Sequence, residues 1–261
     1  MNWQRGNMVS CKLYGGLGNY MFQVAATRAY SIEHNMPDCY PIESAVRVHR
    51  NASDYIDTIF SNLNVYDNFS CGNVYKQGQF TYSKIPQYDD VILDGYFQSE
   101  KYFVDYRDLI LDLFKPTKDV QSYIDNKFEN IDWDNSTSIH VRRGNYLSLQ
   151  HNHPVQDIDY YSEAIGVSEG HKFVVFSDDI DWCKSVFEGD AFTFIEGEED
   201  YMDLYLMSQC RNNIIANSSF SWWGAWLNNN NDKKVIAPKK WFGNNLTHDT
   251  SDLLPDSWRK I

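Results

Sequence analysis

The second half of the chain alternates short apolar runs with amphipathic stretches, and this rhythm constrains the fold more than any other feature. Apolar runs bounded by turn residues predict buried strands, and the helical patterns between them predict the crossovers of parallel βαβ units. We predict five strands, at residues 138–141, 173–176, 192–195, 213–216 and 235–237. Helices are expected at residues 159–165, 181–186, 201–210 and 221–227. The second half is therefore expected to form an open parallel sheet.

The first residues of the chain also predict an α/β unit. Val9, Cys11 and Leu13 alternate with polar residues as in a strand, and Gly15-Gly16-Leu17-Gly18-Asn19 follows as a turn. Apolar residues then recur at intervals of three and four, which predicts a helix over residues 20–34. Residues 91–93 predict a further buried strand, whereas residues 43–87 show no clear period. The polar, acidic stretch 129–134 predicts a boundary between domains 1–130 and 131–261.

Composition excludes several classes of partner. The chain has 261 residues, with 36 acidic and 23 basic side chains and a formal charge of −13, which disfavours nucleic acid and anionic membranes. It contains no apolar run of the ~20 residues that a membrane span needs, so no span is expected. The 5 cysteines are scattered and include no C-x-x-C, which predicts neither a disulfide framework nor a zinc site and favours a reducing, cytoplasmic location.

Polar and charged residues follow three of the predicted strands where a ligand would bind. Open parallel sheets bind ligands beyond the carboxyl ends of their strands, where loops and helix N-termini meet. A basic pair, a group of carboxylates and a hydroxyl-rich helix start suit a nucleoside diphosphate, because guanidinium groups and free N–H groups bind phosphate oxygens. A carboxylate there can accept from a purine edge. These candidates are Arg142, Arg143, Ser177, Asp178, Asp179, Asn217, Ser218, Ser219, Phe220 and Ser221.

Two other features leave alternatives open. The glycine turn lacks the G-x-G-x-x-G spacing of dinucleotide sites and has no Walker lysine, so it is either a tight turn or a loop that lets a sugar or phosphate approach Gly16, Gly18 and Asn19. His140 precedes the basic pair on the same strand. It is either a hydrogen-bonded structural histidine or a member of the site.

The acidic triplets and the tryptophans favour structural interpretations. D-x-D triplets can hold a divalent metal beside a nucleotide diphosphate, but three in one acidic chain favour helix capping or chance, at 132–134, 157–159 and 179–181. Trp222 and Trp226 lie one helical turn apart, with Trp223 beside them. Indoles at this spacing after a buried strand predict core packing rather than a platform for sugar rings.

Several motifs resemble one enzyme family over nearly the whole chain. The chain is similar to the α-1,2-fucosyltransferases of glycosyltransferase family 11, which use GDP-fucose. The N-terminal blocks are Gly15-Gly16-Leu17-Gly18-Asn19, Met21-Phe22-Gln23 and Gly95-Tyr96-Phe97-Gln98-Ser99-Glu100-Lys101-Tyr102-Phe103. The C-terminal blocks are His140-Val141-Arg142-Arg143, Phe176-Ser177-Asp178-Asp179, Trp182-Cys183-Lys184 and the run from Ile214 to Leu227.

The resemblance implies a fold and a reaction. The fold is α/β and GT-B-like, with two Rossmann-like halves whose parallel sheets face a central cleft. The N-terminal half would take a galactose-terminated glycan and the C-terminal half GDP-fucose, for an inverting, metal-independent transfer to the galactose 2-hydroxyl. By resemblance, Arg142 would bind the β-phosphate with support from His140 and Arg143. Asp178 would read guanine, and Ser218 to Ser221 would hold the phosphates. The positive charge of the arginines would stabilise the departing GDP.

Two residues depart from the family pattern. Tyr20 stands where the family usually has Gln, and Asn145 where it usually has Asp. If position 145 supplies the catalytic base, an amide cannot replace a carboxylate; if it orients an arginine or the sugar, Asn145 serves by hydrogen bonding. Other candidate bases are His151, His153 and Glu100. The alternative functions are a transferase with a shifted donor or linkage, and a non-catalytic glycan- or nucleotide-binding protein.

Overall fold

The computed structural model describes residues 7–41, 50–66 and 72–261, and the chain divides into two compact units. Unit 1 runs to Thr117 and includes Asp249–Leu254. Unit 2 comprises Lys118–His248 and Pro255–Ile261. The division thus falls after Thr117, whereas the acidic stretch had placed it near residue 130. The roles expected of the two halves, acceptor binding and donor binding, stay predictions.

Unit 1 contains a small parallel sheet with one long helix beside it. The elements are β1 (Val9–Cys11), α1 (Leu17–Glu33), β2 (Tyr40–Pro41), β3 (Val65–Tyr66), β4 (Val74–Lys76), β5 (Val91–Asp94) and α2 (Arg107–Leu113). The three-stranded sheet has the order β1-β5-β4, and β2 and β3 form a separate parallel pair.

The strand, turn and helix expected at the start of unit 1 are confirmed, with two differences. All three residues of β1 are buried, so the polar Ser10 between Val9 and Cys11 also lies inside the fold. Helix α1 begins at Leu17 rather than at residue 20, because Gly16 with extended backbone takes the N-cap position. Of the stretch without clear period, residues 43–49 and 67–71 lie outside the described residues, and the short strands β3 and β4 lie in the remainder.

Unit 2 is built on a six-stranded parallel sheet. Its elements are α3 (Lys118–Lys127), β6 (Ser136–Val141), α4 (Ile158–Val167), β7 (Lys172–Ser177), α5 (Ile180–Val186), β8 (Phe192–Phe194), α6 (Asp200–Gln209), β9 (Asn212–Ile214), α7 (Ser219–Leu227), β10 (Val235–Ala237) and β11 (Arg259–Lys260). The strand order is β11-β10-β9-β6-β7-β8. Strand β6 lies inside this sheet, and all six of its residues are buried.

The five strands and four helices predicted for the second half are confirmed, with ends that shift by up to about two residues, as hydrogen-bonded boundaries commonly do. Strand β9 ends at Ile214 instead of residue 216, although the Ile215 N–H still donates to the carbonyl oxygen of Ile236 at 2.9 Å. The sixth strand, β11, was not predicted. It is two exposed residues long, Arg259 and Lys260, and too short to show an apolar period.

The tryptophan-rich helix packs into the core, as its spacing predicted. Trp222 and Trp223 are fully buried, Trp226 is nearly so, and the Trp222 and Trp226 rings lie stacked 6.1 Å apart. Helix α7 packs closely on α6 because Gly224 has no side chain: a Cβ there would lie 3.0 Å from Cβ of Met207. This packing fixes the helix whose first turn lies at the edge of the sheet.

Within residues 7–41, 50–66 and 72–261, no helix is long and apolar enough to cross a membrane. The cysteines in those ranges, Cys11, Cys39, Cys183 and Cys210, are buried and free of disulfide bonds.

One carboxyl group in unit 2 is held in an unfavourable environment. Asp203 lies on α6 and is partly buried, and burial together with the charges of Glu198 and Asp200 raises the pKa of its carboxyl to about 8. The folded state therefore disfavours the ionised form of Asp203, which the unfolded chain adopts above a pKa of about 3.9.

We expect Asp203→Asn to become more stable relative to the parent as pH rises from about 4 to about 8. In that range the parent loses stability because the unfolded chain releases the Asp203 proton more readily than the folded chain, and an amide removes this dependence. Guanidinium unfolding midpoints at several pH values measure the difference. Asp190→Asn, at an exposed position, is the control and is expected to show no such trend; a constant difference for Asp203→Asn would contradict the raised pKa.

Candidate functional site at the carboxyl edge of the unit 2 sheet

The connections that follow β6, β7 and β9 meet at one edge of the sheet, because the three strands are parallel. Two helices begin there with side-chain caps. Asp179 accepts from the backbone N–H of Trp182 at 3.3 Å, and Ser218 accepts from that of Phe220 at 3.3 Å. The capping function expected for Asp179 is confirmed, and the backbone N–H groups of the first turn of α7 lie at this edge.

Arg142 is held between two side chains directly after β6. Its Nη1 forms an ion pair with Oδ2 of Asp178 at 2.7 Å, and its Nη2 donates to Oδ1 of Asn145 at 2.8 Å. The guanidinium carbon also lies 5.3 Å from the centre of the Tyr146 ring. A guanidinium has five N–H donors, and these two bonds leave others for a ligand. Arg142 is thus fixed in one orientation while keeping donors available.

Arg143 is held by a second set of contacts. Its guanidinium lies over the Trp182 ring at 4.2 Å, and its Nε donates to Oδ2 of Asp179 at 2.9 Å. Its backbone N–H donates to Oδ1 of Asp178 at 2.8 Å. Asp178 therefore bridges the two arginines, and in this structure its carboxylate is occupied by them rather than presented to a purine.

Gly144 makes room for that carboxylate. A Cβ built on Gly144 would collide with Oδ2 of Asp178, which is the oxygen paired with Arg142. A residue with a side chain at this position would displace Asp178 from both arginines.

His140 is a neutral, buried group of this edge. It is 4% exposed, its ring centre lies 5.3 Å from that of Phe220, and its Nδ1 has no hydrogen-bond partner in the described part of the chain. Burial and the nearby charge of Arg142 lower its pKa to about 3. The imidazole is therefore uncharged at neutral pH.

The hydroxyls expected at the start of α7 have different environments. Ser221 is fully buried and donates to the carbonyl oxygens of Ala216 and Ser218, each at 3.3 Å, so it serves the helix start itself. Ser219 and Phe220 are partly exposed. Ser177 accepts from the backbone N–H of Asp179 at 2.9 Å, which shapes the turn after β7.

Sequence reasoning missed a ring stack beside Arg142. The rings of Tyr146 and His153 are stacked with centres 4.9 Å apart and planes at 20°, and Phe242 lies 5.8 Å from His153 on the loop after β10. Tyr146 also donates its hydroxyl to the carbonyl oxygen of Asn217 at 3.3 Å. No local pattern indicates this stack, because Phe242 lies far from the other two rings in sequence. In the sequence, only the position of Tyr146 shortly after Arg142 and Arg143 indicated an aromatic ring near the site.

The other predicted site residues lie in unit 1, at the carboxyl edge of its own sheet. Gly15 has φ of +95°, and a Cβ there would collide with the side chain of Asn19. Asn19 Oδ1 accepts from Nε2 of Gln98 at 2.7 Å, which joins the turn after β1 to the segment after β5. Gly16 is the N-cap of α1 and Gly18 is buried inside that helix, so the turn is shorter than expected.

Two tyrosines lie at the same edge of the unit 1 sheet. The ring of Tyr96 is 41% exposed and meets that of Tyr14 edge-on, with centres 4.9 Å apart. The backbone that presents Tyr96 is unusual: Phe97 has φ of +51°, a region that bulky residues rarely adopt, and Gln77 Oε1 accepts from both backbone N–H groups. This turn buries Phe97 and leaves Tyr96 exposed.

The acidic triplets form no cluster that suits a metal ion. Asp157 caps α4 as Asp179 caps α5. Across the described parts of the chain, no group of three His, Cys, Asp or Glu side chains is placed to hold a metal.

A family model for glycosyl transferase family 11 matches residues 4–261. The chain belongs to this family. It is 33% identical to the O-antigen biosynthesis glycosyltransferase WbnK of Escherichia coli, over 96% of this chain and 99% of that protein. It is 32% identical to an α-1,2-colitosyltransferase of Escherichia coli, over 98% of this chain and 99% of that protein. The galactoside α-(1,2)-fucosyltransferase 1 of Homo sapiens is 32% identical, over 34% of this chain and 28% of that protein.

Solved fucosyltransferase structures share the fold. The α-1,6-fucosyltransferase NodZ, in crystals soaked with GDP-fucose, superposes with a TM-score of 0.57 at 13% identity, covering 85% of this chain and 93% of NodZ. The GT-B-like α/β class expected from the sequence is confirmed.

We expect Gly144→Ala to lower the free energy of unfolding by about 1–3 kcal/mol, because the new methyl group displaces the Asp178 carboxylate and breaks its charged hydrogen bonds to Arg142 and Arg143. Denaturant unfolding measures the loss. Gly166→Ala is the matched control, since a Cβ at that helical position has open space. It is expected to be neutral or slightly stabilising; equal stability of both variants would mean that the Asp178 contacts contribute little.

Proposed function

We propose that the protein is a galactoside α-1,2-fucosyltransferase that transfers L-fucose from GDP-fucose with inversion. Family membership provides the reaction class. The observation that carries the proposal is the fixed orientation of Arg142, between Asp178 and Asn145, at the carboxyl edge of a parallel sheet. This is where such sheets bind nucleotides, and a guanidinium matches phosphate oxygens in both charge and geometry.

In the proposed reaction, unit 2 holds the nucleotide. Arg142 contacts the β-phosphate, and its charge stabilises the GDP that leaves as the glycosidic bond to fucose breaks. The N-terminus of α7, with Ser218 and Ser219, binds the phosphates through N–H and hydroxyl groups. Arg143 and His140 support the same edge. We retain guanine recognition by Asp178 as a proposal, which requires this carboxylate to leave its arginine partners when the donor arrives.

Of the two functions considered for position 145, catalytic base or orientation of an arginine, Asn145 fits the second. Its Oδ1 accepts from Arg142 at 2.8 Å, so it orients the arginine by a hydrogen bond, as an aspartate would with added charge. An amide has no basicity with which to remove a proton. The departure from the family pattern at position 145 is therefore compatible with an active transferase that takes its base from elsewhere.

We propose that the acceptor galactoside binds at the carboxyl edge of the unit 1 sheet. Tyr96 and Tyr14 offer an aromatic surface for a sugar ring, and the amides of Asn19 and Gln98 offer hydrogen bonds to its hydroxyls. The Gly16 N–H at the start of α1 belongs to the same turn.

No divalent ion is required in this proposal, because the arginines supply the positive charge on the leaving group. Nucleic acid is not proposed as a partner, since the formal charge of the chain is −13.

Transfer of colitose is the second candidate. A relative that aligns over 98% of this chain is named an α-1,2-colitosyltransferase, which keeps the linkage and changes the sugar. Colitose lacks the 3-hydroxyl of fucose. A site that hydrogen-bonds this hydroxyl rejects the deoxy sugar strongly, whereas an apolar site does not distinguish the two well.

The experiment that tests the proposal measures product formation from GDP-fucose and from GDP-colitose with a panel of galactosides that includes lactose, with and without EDTA. NMR of the product gives the linkage. An EDTA-resistant α-1,2-fucosylated product with a higher kcat/KM for GDP-fucose supports the proposal. Preference for GDP-colitose selects the second candidate, and donor binding without product from either sugar nucleotide indicates a non-catalytic binding protein.

We expect Arg142→Ala to weaken GDP binding by about 10- to 100-fold and to abolish turnover, because the phosphate loses its charged donors. Isothermal titration calorimetry measures the affinity. Arg211→Ala is the control: Arg211 is exposed and lies just before β9, at the opposite edge of the same sheet. An Arg142→Ala protein that binds GDP like the parent would refute the donor site.

We expect Tyr96→Ala to raise the KM for the galactoside about 3- to 10-fold and to leave GDP affinity unchanged, because it removes one ring of the proposed sugar surface. Initial rates at varied acceptor concentration measure this. Tyr66→Ala, also an exposed tyrosine of unit 1, is the control. If both variants keep the parental KM, the acceptor does not bind at Tyr96.

A further inference from the structure

Tyr146 connects two parts of the candidate site within unit 2. The guanidinium carbon of Arg142 lies over its ring, 5.3 Å from the ring centre. Its hydroxyl donates to the backbone carbonyl oxygen of Asn217 at 3.3 Å. Asn217 directly precedes Ser218, the N-cap residue of α7. One side chain therefore links the arginine after β6 to the start of α7.

The link also reaches the cap residue itself. Burial raises the pKa of the Tyr146 hydroxyl, and the charge of Arg142 and a side-chain hydrogen bond with Ser218 oppose that rise. Ser218 in turn accepts from the backbone N–H of Phe220 at 3.3 Å. The Tyr146 hydroxyl is thus in contact with the residue that begins the helix.

His153 holds the ring of Tyr146 in place. The two rings are stacked with centres 4.9 Å apart and planes at 20°, and Phe242 contacts the imidazole at 5.8 Å. The backbone N–H of His153 donates to the carbonyl oxygen of Leu149 at 2.8 Å. The plane of the Tyr146 ring is therefore set by its own supports as well as by the arginine.

The segment that carries this support is bonded to its neighbours. The Gly243 N–H donates to the carbonyl oxygen of Asn152 at 2.8 Å, and a Cβ at position 243 would collide with the carbonyl oxygen of His151. The side chain of Asn217 donates to the carbonyl oxygen of Pro154 at 3.0 Å. The turn that receives the tyrosine hydroxyl thus also holds the loop beneath the ring.

The three contacts of Arg142 have different consequences. Those with Asp178 and Asn145, at 2.7 and 2.8 Å, set the direction of the guanidinium. The contact with Tyr146 relates the guanidinium to the first turn of α7. A nucleoside diphosphate that uses both groups requires the correct distance between them, and a displacement of about 1 Å is costly at such a site.

We infer that Tyr146 is a positioning residue for the diphosphate: it sets the spacing between Arg142 and the first turn of α7, so that both bind one GDP molecule. This inference rests on the proposed function, in which Arg142 contacts the β-phosphate and α7 binds through its N-terminus. Tyr146 acts through these groups. Its contribution is therefore specific to a ligand that has two phosphates.

Comparison of GDP with GMP separates this function from general stability. GMP lacks the β-phosphate, so it does not use Arg142 in the proposed site. Tyr146→Phe keeps the ring beside Arg142 and His153 but removes the hydroxyl. We expect its GDP affinity, measured by isothermal titration calorimetry, to fall about 3- to 10-fold, and its GMP affinity to stay within about twofold of the parent.

A second variant removes the ring as well as the hydroxyl. Tyr146→Leu is expected to lower GDP affinity by about 10-fold or more relative to GMP affinity, because both the contact with Arg142 and the bond to the turn before α7 are lost. It tests the same spacing without depending on how the Phe variant packs.

Tyr160→Phe is the matched control. Tyr160 is a buried tyrosine of α4, and its hydroxyl donates to the carbonyl oxygen of Ile215 at 2.6 Å, on the same segment between β9 and α7. This variant removes a bond of the same kind from a tyrosine of the apolar core. We expect it to lower Tm and to leave the ratio of GDP to GMP affinity unchanged.

A double substitution tests whether Tyr146 acts through Arg142. In an Arg142→Ala background, Tyr146→Phe is expected to change GDP affinity by less than about twofold, because the group that it positions is already absent. Two side chains that act as a unit show this lack of additivity.

The outcomes distinguish this inference from the proposed function. A parent that does not bind GDP overturns the proposed donor site itself. If the parent binds GDP, parental affinity ratios in both Tyr146 variants, or equal losses for GDP and GMP, overturn only the assignment of Tyr146. A ratio that falls in the Tyr146 variants, stays parental in Tyr160→Phe and falls no further in the Arg142→Ala background supports it.

Discussion

The side chain of Asn217 holds three chain segments together at the carboxyl edge of the unit 2 sheet. Its Nδ2 donates to the carbonyl oxygens of Pro154 and Trp241, and its Oδ1 accepts from Gln156. Its backbone carbonyl accepts from the Tyr146 hydroxyl. A buried amide with this many bonds is expensive to replace, since each partner would be left unsatisfied. Hydrogen bonds of Asn217 therefore join the connection after β6, the turn before α7 and the loop after β10, and they hold the segment after Arg142 beside the start of α7.

Much of this edge was predictable from sequence, because the carboxyl ends of parallel strands meet at one side of a sheet. The apolar runs placed β6, β7 and β9, and simple chain order then brought Arg142, Asp178 and Ser218 to one place. The same logic placed the glycine turn after β1, whereas the exposed position of Tyr96 at the same edge was not predicted. Where a residue directly follows a strand, the prediction of that strand was enough to locate the residue in the fold.

Contacts between loops were not predictable in this way. The ring of Phe242 meets that of His153 only because backbone bonds between Gly243 and Asn152 close the two loops, and neither loop has a period. The pairing of Asp178 with Arg142 also could not be predicted from the sequence. Sequence indicated a carboxylate at the nucleotide edge, but only the collision that a Cβ at Gly144 would cause shows how closely this carboxylate approaches Arg142. Strands of two or three residues, such as β3, β4 and β11, are too short to show alternation.

The pairing of Asp178 with Arg142 and of Asp179 with Arg143 has a consequence for turnover in the proposed reaction. Arginines without a carboxylate partner would have no counter-ion after GDP leaves, and this would slow the release of GDP. In the proposal, the Asp178 carboxylate returns to Arg142 when the nucleotide leaves, so the guanidinium exchanges one anionic partner for another. In the proposed reaction, this exchange would favour release of GDP through the same residue that aligns Arg142 for the next donor.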